Sequence, residues 1–287
     1  MKGEGPRGVL VREVGPRDGF QSLDRVVTTD VKIEVIGRLV RAGCTHVQAA
    51  SFVSPKRVPQ MADAAELFHV LPKTPGVTLS ALVLNLGGMA RAVEAGVGLV
   101  EASVSASGEH GLANAGMDLA RGLDEMDRMA ASARKAGVAL WASLQCAFGH
   151  RVAGDVSAGA VGEISRRLVD TGAEVLVLAD TAALADPEAV GRVVEAVAPA
   201  WEPDRLLLHF HDSRGRAMDN LLSGLSAGVP RYDASFGGLG GCPFLPHAPG
   251  NLDTAAVVKL LESQGHETGI NPEEVKACAQ WFAENRR

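Results

Sequence analysis

Short apolar runs rich in Val, Ile and Leu alternate along the chain with longer stretches whose apolar residues recur every three or four positions. The short runs read as strands and the longer ones as amphipathic helices. Strands are predicted at Val9–Val14, His46–Ser51, Thr78–Leu84, Leu99–Ser103, Ala139–Gln145, Glu174–Ala179, Leu206–His211 and Arg231–Phe236. Helices are predicted near Asp30–Ala42, Gln60–Leu71, Gly88–Ala95, Leu119–Ala136, Ala158–Thr171, Pro187–Ala198, Met218–Ala227 and Asn251–Ser263, with another over about Pro272–Glu284. Several strands start just after a glycine-bearing turn, as in "RAGCTHV", "EAGVGLV" and "DTGAEVL". Glycine just past a helix end takes the left-handed conformation that stops the helix.

Eight strand–helix units followed by one more helix predict an α/β fold: a (β/α)8 TIM barrel with an extra C-terminal helix. No linker or low-complexity stretch interrupts the alternation, so one catalytic domain is expected over residues 1–287. An open doubly wound sheet is the competing fold. It would place a glycine-rich phosphate turn after its first strand, and "EVGPRDGF" has no GxGxxG.

Composition narrows the class. Hydrophobic residues make up 46% and aromatics only 4%, so the core is built from Ala, Val and Leu. A net charge of -6 argues against a nucleic-acid partner, which calls for a basic face. No apolar run reaches about 18 residues, so no membrane span is expected. The four cysteines are scattered without a CxxC pair, which fits reduced thiols in a cytoplasmic protein. "MKGEGPRG" lacks the apolar stretch of a secretory signal.

Barrel active sites lie where strands end and the following loops begin. There the sequence places Arg17, Asp18 and Gln21 after strand one, and Gln48 and Ser51 in and at the end of strand two. Asn85 follows strand three, and Glu101, Ser103 and Ser105 mark strand four. Gln145 ends strand five, and Asp180 and Thr181 follow strand six. "HFHD" closes strand seven, and "GGLGGCPFLPHAPGN" follows strand eight. Taken singly, Asp18 reads equally as a turn cap, Asp180 as a helix cap and Cys242 as a buried small residue.

"HFHD" carries the sharpest signal. Residues two apart on a strand face the same way, so His209 and His211 present imidazoles about 7 Å apart at the backbone on one face. Two inward histidines make a poor core and a good edge for a metal. Asp18 and Asn251 offer oxygen ligands. Such a mixed nitrogen and oxygen set suits a catalytic divalent cation, Mg2+ or Mn2+, with Zn2+ also compatible. The glycines of "GGLGGCP" point to a pliant loop that carries Cys242 into a pocket as it closes; the alternative is a turn with a buried cysteine.

Together, "VREVGPRDGFQ", "ASFVSPKRVPQM", "LADT", "HFHDSRGRAMDN" and "GGLGGCPF…GN" resemble the hydroxymethylglutaryl-CoA lyase family of the DRE-TIM metallolyases. The resemblance runs in order from about Val9 to Asn285. It implies a TIM barrel, a divalent cation, a small-molecule acyl-CoA substrate, a homodimer and cleavage of 3-hydroxy-3-methylglutaryl-CoA to acetyl-CoA and acetoacetate. By position, Asp18, His209, His211 and Asn251 match the metal ligands. Arg17, Asp180 and Cys242 match catalytic residues, with His209 or Asp180 as the base. Gln21, Gln48, Ser51, His150 and Thr181 are expected to face the substrate.

The chain departs from this pattern in places. "QAASF" puts Gln48 where the family usually has a glutamate near the metal, which removes a negative charge. "CAFGHRVAG" has His150 where a cysteine is common, and "SASGEHGLANAG" lacks the glutamate usual at Gly108. "LPHAPGN" adds Pro246, His247 and Pro249 to the cysteine loop. These changes leave two alternatives beside the lyase: a relative acting on a different 3-hydroxy acid or acyl-CoA, or a catalytically weak barrel kept for binding.

Overall fold

A computed structural model describes residues 8–212, 215–241 and 250–286. Eight parallel strands close into a barrel in chain order. They are β1 (Leu10–Glu13), β2 (His46–Ser51), β3 (Thr78–Val83), β4 (Leu99–Ser105), β5 (Ala139–Gln145), β6 (Val175–Asp180), β7 (Leu206–Phe210) and β8 (Arg231–Ala234). Closure is made by β1 on β8, with Leu10 opposite Arg231 and Glu13 opposite Ala234. Every residue of β6 and β7 is buried. That is the pattern of a parallel strand covered on both faces, and it is why these strands read as continuous apolar runs.

The outer layer comprises α1 (Thr29–Arg41), α2 (Ala64–Val70), α3 (Leu86–Glu94), α4 (Gly108–Ala115), α5 (Leu119–Ala136), α6 (Ala158–Val169), α7 (Pro187–Val197), α8 (Ala217–Ser226), α9 (Thr254–Ser263) and α10 (Pro272–Asn285). Side chains of Asp118, Ser157, Asp186, Asp253 and Asn271 accept from amides of the first turns they cap. No helix among the described residues is long and apolar enough to cross a membrane.

Three differences from the predicted elements bear on the site. The helix α4 falls in a glycine-rich segment read as loop. It forms because Ser107 caps the amide of His110 and Gly116, at φ 73°, closes the other end. The last barrel helix starts at Thr254 and not at Asn251, because Asp253 caps the amide of Ala256. Asn251 is therefore left in the loop, where it forms a backbone bridge with His211. The stretch predicted as one helix over Gln60–Leu71 is a short 3-10 turn at Pro59–Met61 followed by α2.

The loop after β1 is braced from outside. Phe282 of α10 packs on Phe20 and Phe236 at ring separations of 5.0 and 5.6 Å. This clamps the π-helical turn Gly15–Gly19 that carries Arg17 and Asp18. A Cβ on Gly15 would lie 2.5 Å from the Phe236 ring, so only glycine admits this packing.

Candidate active site and metal centre

Two turns and one strand bring the expected ligands together. His209 is in β7, His211 follows it, Asp18 comes from the turn after β1, and Asn251 comes from the loop after β8. One donor atom from each of Asp18, His209 and His211 lies within 4.8 Å of the others. The two Nε2 atoms are 3.4 Å apart, and His211 Nε2 is 3.6 Å from Asp18 Oδ2. Asn251 donates through Nδ2 to Asp18 Oδ2 at 2.7 Å and to the Leu239 carbonyl at 2.9 Å, while its buried Oδ1 has no partner among the described residues.

Each imidazole is oriented from behind. His209 Nδ1 is 2.9 Å from Asp233 Oδ2, and His211 Nδ1 is 3.0 Å from the Asp180 carbonyl. With the ring protons on the Nδ1 atoms, both Nε2 lone pairs are free to meet the Asp18 carboxylate, and Asn251 is joined to that carboxylate through its amide nitrogen. Two imidazole nitrogens and a carboxylate oxygen gathered in this way, with a side-chain amide next to them, fit a divalent cation of the kind that takes mixed nitrogen and oxygen ligands. A Cβ on Gly240 would lie 2.0 Å from Asn251 Nδ2 and 3.0 Å from Asp18 Oδ2. Glycine is thus required at that point by space, as well as by its φ of 131°.

Charge follows the same plan. Burial alone would raise the Asp18 carboxyl, but Arg17, His211 and His209 together hold it well below the usual carboxylate range. Burial lowers the His211 imidazole, and the hydrogen bond and charge of Asp18 reverse this and raise it.

A buried polar chain runs beneath the cluster. Arg17 pairs with Asp18 through Nη1 and donates from Nε to Gln48 Oε1 at 2.5 Å. Gln48 donates to Glu101 Oε2 at 2.8 Å, and Glu101 also accepts from Arg12 at 2.5 Å. Arg12 grips Asp233 with two bonds of 2.7 Å, and Asp233 holds His209. Burial pushes the Asp233 carboxyl up, but the charge and hydrogen bonds of Arg12 and His209 together outweigh it, leaving the group at about 2. The negative charge missing at Gln48 is therefore present one side chain away, at Glu101.

The other expected residues are distributed as follows. Gln21 and Thr181 line the same pocket as Arg17, Asp18, His209 and His211. Ser51 donates to Gln21 at 3.1 Å, and Thr181 Oγ1 accepts from the Cys146 amide. Gln48, with no exposed surface, supports Arg17 from below. His150 faces Ser107 and the ring of His110. The Asp180 carboxylate accepts from the amides of Leu184 and Ala185 and so is committed to its own turn. Cys242 and His247 lie outside the described residues. Arg12, Asp233 and His110 were not singled out by sequence reasoning; charged residues within the short strands β1 and β8 were the available signal for the first two.

The HMGL-like family model matches residues 9–281. The chain belongs to the HMGL-like family. Hydroxymethylglutaryl-CoA lyase of Bacillus subtilis is 35% identical over 97% of this chain and 93% of its own length. The HMG-CoA lyase structure from Brucella melitensis superposes with a TM-score of 0.92 at 35% identity, covering 97% of this chain and 99% of that one. The HMG-CoA lyase of Acinetobacter baumannii, solved with coenzyme A and 3-methylmalate, gives 0.92 at 34% identity over 96% and 90%. The resemblance read from the motifs is thereby borne out, as is the TIM barrel. This HMGL-like chain is a carbon–carbon lyase of a divalent-metal-dependent family.

Proposed function

We propose that the chain cleaves 3-hydroxy-3-methylglutaryl-CoA to acetyl-CoA and acetoacetate, with Mg2+ or Mn2+ held by Asp18, His209, His211 and Asn251. The observation that carries this reading is the convergence of the two Nε2 atoms and Asp18, with Asn251 bonded to that carboxylate, beside the cation of Arg17. A bound divalent ion supplies Lewis acidity to the substrate's hydroxyl and carboxylate oxygens.

The remaining steps fall to the chain's own groups. His209 Nε2 cannot ligate a cation and accept a proton at once, and its backing by Asp233 favours ligation. Asp180, whose burial raises its carboxyl above the ordinary carboxylate range, is then the acceptor of the hydroxyl proton. It must release the Leu184 and Ala185 amides to do so. Collapse of the resulting alkoxide breaks the bond between C2 and C3 and leaves the enolate of acetyl-CoA. Arg17, fixed by Gln48, stabilises the charge growing on the enolate oxygen. Cys242 returns a proton to the enolate carbon.

Turnover with Mg2+ or Mn2+, read as acetyl-CoA and acetoacetate by mass spectrometry, tests the reading. Metal-loaded protein that yields neither product would end it. Cys242→Ala is expected to retain metal and fold while losing most turnover. A single catalytic domain, a homodimer and a cytoplasmic location belong to the same proposal; light scattering of the purified protein checks the dimer.

A further inference from the structure

Opposite the cation cluster, the pocket wall is made by α4. There His110 is 2% exposed and lines the same pocket as Arg17, Asp18 and His211. Its Nδ1 is 3.1 Å from Ser105 Oγ, while its buried Nε2 has no partner among the described residues. Ser105 Oγ already accepts the amide of Ser107, and among the described residues the acceptor for its hydroxyl proton is His110 Nδ1. That assignment satisfies the serine and leaves the ring proton on Nε2, a donor with nothing to donate to.

The rest of the wall has the same character. His150 stands edge-on to His110 at 5.5 Å and is itself engaged by Ser107 at 3.1 Å. Arg57 also lines the pocket, and it fastens the end of α4 by donating to the carbonyls of Ala113 and Asn114 at 2.7 and 3.0 Å. Burial, helped by His150, lowers the His110 imidazole to about 4, so the ring is neutral near pH 7. An apolar ring would fill this space without leaving a buried donor unmet, and an unmet buried donor calls for a partner such as a bound group or an ordered water.

We propose that His110 is a specificity-determining residue whose Nε2–H receives an acceptor oxygen, of a carboxylate or hydroxyl, on the acyl chain of a 3-hydroxyacyl-CoA. This rests on the acyl-CoA reading of the pocket. The oxygen sits either at the chain end or in place of the 3-methyl group.

The test uses His110→Phe and His110→Gln with three acyl-CoAs in the presence of Mg2+: 3-hydroxy-3-methylglutaryl-CoA, its analogue with a carboxylate in place of the 3-methyl group, and 3-hydroxy-3-methylbutyryl-CoA. The last carries no oxygen beyond the thioester and the hydroxyl. Affinity is measured by calorimetry and kcat/KM by product formation. His110→Phe should weaken binding of one or both carboxylate-bearing compounds about 10- to 100-fold and leave the third unchanged. His110→Gln, which keeps a donor, should retain part of the discrimination. The compound that loses affinity shows where the oxygen lies. Equal loss on all three, or loss on none, overturns the proposal. Absent wild-type turnover with intact binding discrimination would sink the lyase reading and leave the role of His110 standing.

Discussion

The two ends of the pocket are built by opposite rules. At the proposed cation end three of the candidate ligands are held by neighbours, His209 by Asp233, His211 by the Asp180 carbonyl and Asp18 by Arg17 and Asn251. At the α4 end, His110 is held at one nitrogen by Ser105, and its other nitrogen is buried with no partner among the described residues. The difference separates two jobs. The backed end fixes chemistry, so it tolerates little change. The open end can alter what is recognised without disturbing the reaction.

The largest break in this contrast should come from His211→Ala. It removes one donor from a set of four and is expected to abolish stoichiometric metal, by elemental analysis, with a fall in turnover on the order of 10^3-fold or more, beyond the loss from an outer partner. Retained metal would refute the ligand set. Asp233→Asn should come next. It keeps the shape but loses the charge that holds His209 and Arg12, so metal affinity should fall about 10- to 100-fold with the fold intact. An unchanged Kd would mean that backing from behind is irrelevant at the cation end.

The Gln48–Glu101 contact gives a sharper, smaller test. Gln48→Glu restores the family's glutamate but sets two carboxylates against each other where Gln48 Nε2 now donates at 2.8 Å. Alone it should lower stability and activity. Combined with Glu101→Gln it should recover both, with a coupling energy of about 1–3 kcal/mol. Additive losses in denaturant melts would show that Glu101 does not stand in for the missing charge.

The smallest effect concerns Glu13, which accepts from the Gly15 and Phe236 amides and from Thr254. Burial pushes its carboxyl up to about 7 despite those bonds. The folded-state value lies above the unfolded one, so the group is protonated in both states at low pH. As pH rises towards 7 the unfolded chain gives up its proton first, and the stability contribution is lost through that window. Glu13→Gln should flatten this slope, so calorimetric melts of wild type and variant should diverge in the variant's favour from about pH 4.5 to 7. Parallel melts would contradict the shift.

The barrel was legible because parallel strands covered on both faces advertise themselves as apolar runs, and helices between them keep a 3.6-residue period. The candidate ligand pair was legible because two histidines at a spacing of two share a strand face. What lies behind them was not. Arg12 and Asp233 sit on strands from opposite ends of the chain, and only closure of β1 on β8 makes them a pair, at Arg12 opposite Asp233 in the register. Gln48 was legible as a departure, but its compensation by Glu101 depends on three-dimensional adjacency that spacing does not encode. His110 was hidden for a different reason: caps at Ser107 and Gly116 make a helix where the glycine content argues for a loop.

Asp18 and Asn251 meet across a sequence separation of 233 residues. During synthesis, then, the donor set proposed for the cation stays incomplete until the loop after β8 has left the ribosome and the first strand has docked against the last. Such distant pairing is slow to form. An ion that binds the completed set draws the equilibrium towards the closed ring, making metal supply a late proofreader of barrel assembly as well as a requirement for turnover.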